Sequence, residues 1–171
     1  MKRVLILGLD PGLAITGYGI IAAENRRYEA VAYGGITTKA GMPQAQRLVV
    51  LYDAVSELIT KYRPQTVAVE QLFFNRNVTS AFAVGQARGV AMLAAAKQGL
   101  PVDEYTPLQV KQTLTGHGRA EKDQVGYMVR TLLRLSEMPK PDDVSDALAV
   151  ALCHAFHAES GLLRLARQAD S

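Results

Sequence analysis

Cysteine is nearly missing from this chain: Cys153 stands alone among 171 residues, and tryptophan is absent altogether. A lone thiol excludes an internal disulfide, and without cysteine partners His117, His154 and His157 form no zinc pattern. Cys153 sits in a helical Ala/Leu run and reads as a small buried apolar group. Long hydrophobic runs are lacking too. The longest fall far short of a membrane span, so no transmembrane helix is expected. Lys2-Arg3 is followed by only a few apolar residues before Asp10-Pro11-Gly12 interrupts them, which is not a secretory signal. A cytoplasmic protein fits all of this. Nor is one sign of charge scarce, with 19 basic and 16 acidic residues for a net +3. Hydrophobic residues make up 49% and charged residues 20%, an ordinary globular balance that argues against general disorder.

What is present reads as one α/β domain over residues 1–158, followed by a flexible tail over 159–171. Residues 3–10 form an apolar run ended by the turn signal Pro11-Gly12. A second strand covers Gly17 to Ala22, Asn25-Arg26-Arg27 turns the chain, and a third strand reaches Thr37. Connections this short make the first three strands an antiparallel meander. Leu48, Leu51, Tyr52, Val55, Leu58, Ile59 and Tyr62 then repeat at helical spacing until Arg63-Pro64. Thr66 to Glu70 is a fourth strand, parallel to the first because a helix precedes it. An Ala-rich helix over 78–98, a strand near 101–105 and helices near 107–114, 121–135 and 142–156 complete the pattern. The expectation is a mixed five-stranded sheet flanked by helices.

Four carboxylates stand out against this frame. Asp10 and Glu70 each close an apolar strand run, and Asp143 and Asp146 open the last helix. An acid at the end of a buried strand is costly to desolvate unless a cation meets it. Parallel neighbours about 4.8 Å apart would set Asp10 beside Glu70 on one sheet edge. Positions i and i+3 on a helix share a face, so Asp143 and Asp146 can point at the same centre. Such a set suits a hard divalent cation, or a pair about 4 Å apart, and phosphoryl-transfer chemistry. Asp142 shares a face with Asp146 as well, so spacing alone leaves Asp142 and Asp143 both open. Read singly, Asp143 is also an ordinary helix cap.

Cations follow the acids. With four acids bound to metal, the basic residues dominate the remaining surface, and Arg26, Arg27, Arg76, Arg88, Lys111, Arg119, Lys122, Arg130 and Arg134 can supply a face for a polyanion. Lys122 in the first turn of a helix sits where an anion is favoured. Phe73, in the Leu72-Phe73-Phe74 segment leaving the fourth strand, is either core or a residue that stacks on bases. Ala81, Gly85 and Gly89 repeat at i+4 in the 78–98 helix, permitting close approach to the sheet or to a second copy.

Assembled in order, these segments resemble the RuvC family of Holliday-junction resolvases over about residues 2–157. The matching stretches are Gly8-Leu9-Asp10-Pro11-Gly12 with Thr16-Gly17-Tyr18-Gly19, Glu70-Gln71-Leu72-Phe73, Gly85-Gln86-Ala87-Arg88-Gly89-Val90, Val110-Lys111-Gln112, Ala120-Glu121-Lys122 and Asp143-Val144-Ser145-Asp146-Ala147-Leu148-Ala149. The resemblance implies a ribonuclease-H-like fold and a homodimer that nicks opposed strands of a four-way DNA junction. It further implies Mg²⁺ or Mn²⁺, two ions per site, bound by Asp10, Glu70, Asp143 and Asp146, and it selects Asp143 over Asp142. By the same resemblance Phe73 disturbs pairing at the crossover, Lys111 and Lys122 contact DNA, and the RuvAB branch-migration complex is a partner; Arg76 and Arg119 are expected from the basic face to bind DNA with them.

Three other classes share some of these features. The Asp10-Pro-Gly and Thr16-Gly-Tyr-Gly pair resembles the first phosphate loop of actin-like sugar kinases and ATPases, but those need a second such domain. A ribonuclease-H-like enzyme would prefer RNA–DNA hybrids, and a junction-binding module would bind without cutting.

Overall fold

The structure, a computed structural model, describes residues 3–71 and 78–169, and from residue 161 onward as backbone alone. β1 (Val4–Asp10) pairs antiparallel with β2 (Ile15–Glu24), which pairs antiparallel with β3 (Arg27–Thr37). The β2–β3 turn uses Asn25 and Arg26, both at positive φ (48° and 60°), the turn geometry whose twist matches its flanking strands. α1 (Gln44–Tyr62) carries the chain over to β4 (Thr66–Glu70), parallel to β1. α2 (Val78–Lys97) leads to β5 (Val102–Tyr105), parallel to β4, and α3 (Pro107–Thr115), α4 (Lys122–Leu132) and α5 (Asp142–Ala169) follow. The sheet runs β3-β2-β1-β4-β5. This is the mixed, helix-flanked five-stranded sheet expected from the pattern.

Alternation along the strands divides the core into two layers. Leu7, Leu9, Ile20, Val67 and Val69 pack with Leu51, Val55 and Ile59 of α1 and Ala87, Ala91, Ala94 and Ala95 of α2. Ile6, Ile21, Ala23 and Ala68 pack on the other face with α3, α4 and α5. Three glycines let α5 lie directly on the sheet. A Cβ on Gly8 would collide with the Ala147 carbonyl, one on Gly17 with the Asp143 carbonyl, and one on Gly19 with the Leu148 side chain. Gly8 and Gly19 are register partners, as are Asp10 and Gly17. The glycine floor therefore sets the start of α5 over the end of β1.

Several details depart from the sequence expectation. The tail expected from residue 159 is helical through Ala169. Its first residue is anchored: the buried Glu159 accepts from Tyr28 Oη at 3.1 Å and from the Arg26 backbone N–H at 3.3 Å. In α2 the face packed on the sheet side is Ala87, Ala91, Ala94 and Ala95, whereas Gly89 of the i+4 repeat has open space around it. Val78, Phe82 and Leu93 are exposed on the same helix. Where no membrane span was expected, α2 is long and apolar enough by length and composition to cross one, although its alanines serve as a core face here.

Candidate active site

The register Leu9↔Val69 ends β1 and β4 together and puts Asp10 beside Glu70 within hydrogen-bonding reach. α5 brings Asp143 and Asp146 to the same edge. Burial, then the charges of Glu70 and Asp146, the hydrogen bond to Glu70 and the charge of Asp143 push Asp10 from 3.8 up to about 8. Glu70 is raised by burial and by Asp146, against the pull of Asp10, Lys122 and Lys111. Asp146 is raised by burial although Lys122 opposes this, with Asp142 and Asp143 adding repulsion. The acids thus form one electrostatic unit in which Asp10, Glu70 and Asp146 are all pushed up by burial and by neighbouring acids.

Two lysines meet this unit. Lys122 Nζ stands 3.1 Å from Asp146 Oδ2 and 3.3 Å from Asp142 Oδ2. Burial lowers the Lys122 ammonium, but the Asp146 and Asp142 contacts outweigh it and leave it raised. Glu70, Asp146, Lys111 and Lys122 line a cleft of about 190 Å³ with apolar walls from Val110 and Val125. Local signals aim both lysines. α3, which carries Lys111, opens with a capping box in which Gln109 N–H donates to Thr106 Oγ1 at 3.0 Å and Thr106 N–H to Gln109 Oε1 at 2.8 Å. At the start of α4, Glu121 N–H donates to Gln124 Oε1 at 2.9 Å.

The other expected residues separate. Arg119 is exposed on the loop between α3 and α4 and does not line this cleft. Phe73 and Arg76 lie outside the described residues. Asp142 is exposed and paired with Lys122, while the Asp143 charge reaches Asp10. Sequence reasoning missed the Lys122 pairing, for which no local signal exists. It also missed the clamp at Thr16, whose Oγ1 accepts from Gly12 N–H at 3.1 Å and donates to the Gly12 carbonyl at 2.7 Å, fixing the loop after Asp10. A threonine four residues after the glycine of the Pro11-Gly12 turn was the available hint.

No three His, Cys, Asp or Glu side chains among the described residues already form a closed ligand set. The donor chemistry nonetheless fits a hard divalent cation. Carboxylate oxygens that are half-desolvated and mutually repelling lose their penalty when a dication joins them.

The chain matches the family Crossover junction endodeoxyribonuclease RuvC over residues 6–154. The protein of that name from Pelotomaculum thermopropionicum is 58% identical over 154 residues, which is 90% of this chain and 94% of the relative. The Thermus thermophilus RuvC structure superposes with a TM-score of 0.86 at 40% identity, covering 92% of this chain and 96% of that one. T. thermophilus RuvC in complex with Holliday junction substrate gives 0.89 at the same identity, again with 92% and 96% covered. The sheet, the carboxylate edge and these likenesses agree, and the chain belongs to the RuvC family of crossover junction endodeoxyribonucleases.

Proposed function

We propose that this chain resolves four-way DNA junctions by nicking two opposed strands symmetrically through hydrolysis of one phosphodiester in each. The observation that carries the reading is the convergence of Asp10, Glu70 and Asp146 on one sheet edge beside a cleft bearing Lys111 and Lys122. Asp10, Glu70, Asp143 and Asp146 would hold Mg²⁺ or Mn²⁺, two ions per site, which when bound supply an activated water and stabilise the leaving oxygen. The protein's own residues prepare that state. Asp10, pushed up to about 8, would give up its proton to hold a cation, and Lys122, 3.1 Å from Asp146, orients that carboxylate and favours its charged form against burial. Lys111 and Lys122 then offer positive charge to phosphate oxygens entering the cleft. Hydrolysis adds water across the P–O bond, so the new hydroxyl stays on phosphorus and the proton goes to the departing oxygen.

Residues 1–158 act as a single nuclease domain in this reading, in the cytoplasm, with Phe73, Arg76 and Arg119 beside the junction arms. A junction with two-fold symmetry calls for two copies of the chain, and the uncovered Val78, Phe82 and Leu93 of α2 offer an apolar contact. Sedimentation of Gly89→Leu tests that contact, and an unchanged dimer removes it. Partnership with the RuvAB complex rests on the family likeness alone.

The deciding experiment is cleavage of a synthetic mobile four-way junction in Mg²⁺ and in Mn²⁺ by wild type and Asp146→Asn. Wild type should give paired symmetric nicks, and the variant should bind the junction without cutting it. Equal nicking by both proteins would show the catalytic assignment to be wrong. Binding without nicking by either would favour a binding module, and better cleavage of a hybrid duplex would favour a ribonuclease.

A further inference from the structure

The stretch Gly85-Gln86-Ala87-Arg88-Gly89-Val90 belongs to the family signature, yet the carboxylate site as described makes no use of its arginine. Arg88 lies midway along α2, next to the buried Ala87. Through Nη2 it pairs with Glu104 Oε2 on β5, and the two side chains are only 22% and 29% exposed. Glu104 stands opposite Val69, so the pair is braced against the strand that delivers Glu70. Arg88 Nε is buried and has no hydrogen-bond partner among the described residues. A guanidinium carries five N–H donors in a rigid fork, and one contact to Glu104 leaves most of that fork available.

Arg88 also lines a second cleft, of about 150 Å³, together with Asp10, Pro11, Glu70 and Gln71. Glu70 borders both this cleft and the one that holds Lys111 and Lys122. The acids are thus flanked by an arginine fork on one side and two lysines on the other. A DNA strand laid over the acids presents phosphates before and after the one being cut, and each needs a cation in a site already rich in negative charge. We propose that Arg88, held in place by Glu104, binds a backbone phosphate adjacent to the scissile one in this second cleft and so fixes the register of the cut strand. The proposal rests on the junction-nuclease reading above. If Arg88 were only a strut between α2 and β5, its loss would not depend on whether a particular phosphate is charged.

The test uses junctions in which one phosphate flanking the cut is replaced by an uncharged methylphosphonate, on either side in turn. Single-turnover cleavage is measured with wild type, Arg88→Gln and Glu104→Gln. At one flank, wild type should lose roughly 10- to 100-fold in kcat/KM on the neutral linkage. Arg88→Gln should lose a similar factor on the unmodified junction and nothing further on that modified one. Glu104→Gln keeps the guanidinium and should keep the wild-type sensitivity. Because Arg88→Gln leaves Glu104 without its partner, the double variant Arg88→Gln/Glu104→Gln is run beside it and should show the same insensitivity. Losses from variant and methylphosphonate that multiply at both flanks overturn the contact. A wild type that cuts no junction overturns the nuclease reading and this contact with it, whereas normal cutting with multiplied losses overturns the contact alone.

Discussion

Asp10→Asn should end cleavage and at the same time stabilise the metal-free protein. The Asp10 carboxyl is held at about 8 instead of 3.8, by burial first and then by Glu70, Asp146 and Asp143. Between those values the folded chain keeps a proton that the unfolded chain has released. Stability from this group is therefore fully present below about pH 4, falls as pH rises toward 8, and is flat above that. Each tenfold difference in proton affinity is about 1.4 kcal/mol, so the rise from 3.8 to about 8 sets a ceiling of ~6 kcal/mol; the rise is shared with Glu70 and Asp146, which stay charged beside the asparagine, so neutralising Asp10 alone should return ~2–3 kcal/mol near pH 9. For a domain of this size that corresponds to ~5–10 °C in melting midpoint. The assay is thermal unfolding of wild type and variant in chelator over this pH range, followed by the same melts in millimolar Mg²⁺. The variant should melt higher at alkaline pH, the gap should close toward acid, and Mg²⁺ should raise wild type far more than the variant. A gap independent of pH, or a variant less stable near pH 9, would refute the account of a strained, cation-seeking acid cluster.

Other perturbations test the scaffold. Gly17→Val puts a Cβ into the Asp143 carbonyl, so urea unfolding should show a loss of about 3 kcal/mol, and cleavage should fall even where the chain is folded. Tyr28→Phe removes the buried donor to Glu159 and should cost about 1.5–3 kcal/mol, with faster hydrogen exchange in the last turns of α5. Thr106→Ala deletes the cap of the helix bearing Lys111; a melt should report a loss of about 1 kcal/mol.

Much of this arrangement was legible in the chain. Apolar runs that stop at Asp10 and Glu70 declare strand ends, and the intervening helix makes those strands parallel. That allows the two strands to be neighbours; the register Leu9↔Val69 is what the structure adds. The small residues of α2 were harder to read. Apolar residues run around both faces of that helix, so periodicity could not tell the packed Ala87, Ala91, Ala94 and Ala95 from the open Gly89. The glycines of β1 and β2 carry the close approach of α5, more than a hundred residues away, which no pattern near them in the chain indicates. The tail expected from residue 159 contains Gly161, yet a glycine costs a helix only about 1 kcal/mol and α5 runs past it.

The sequence by itself determined the strand and helix pattern, the sheet's mixed pairing and the placing of Asp10 and Glu70 at strand ends, because each depends on residues near in sequence or on the direction a connection imposes. Only the tertiary structure decided that Lys122 pairs with Asp142 and Asp146, that the Asp143 charge bears on Asp10, and that Arg88 is clasped by Glu104 beside the same acids. Those contacts join elements whose spacing in the chain carries no periodic signal. They exist because strand register, the glycine floor and helix packing bring charges within a few ångströms; burial strengthens the interactions at Asp10 and between Arg88 and Glu104, whereas the exposed Lys122–Asp142 pair is screened by water.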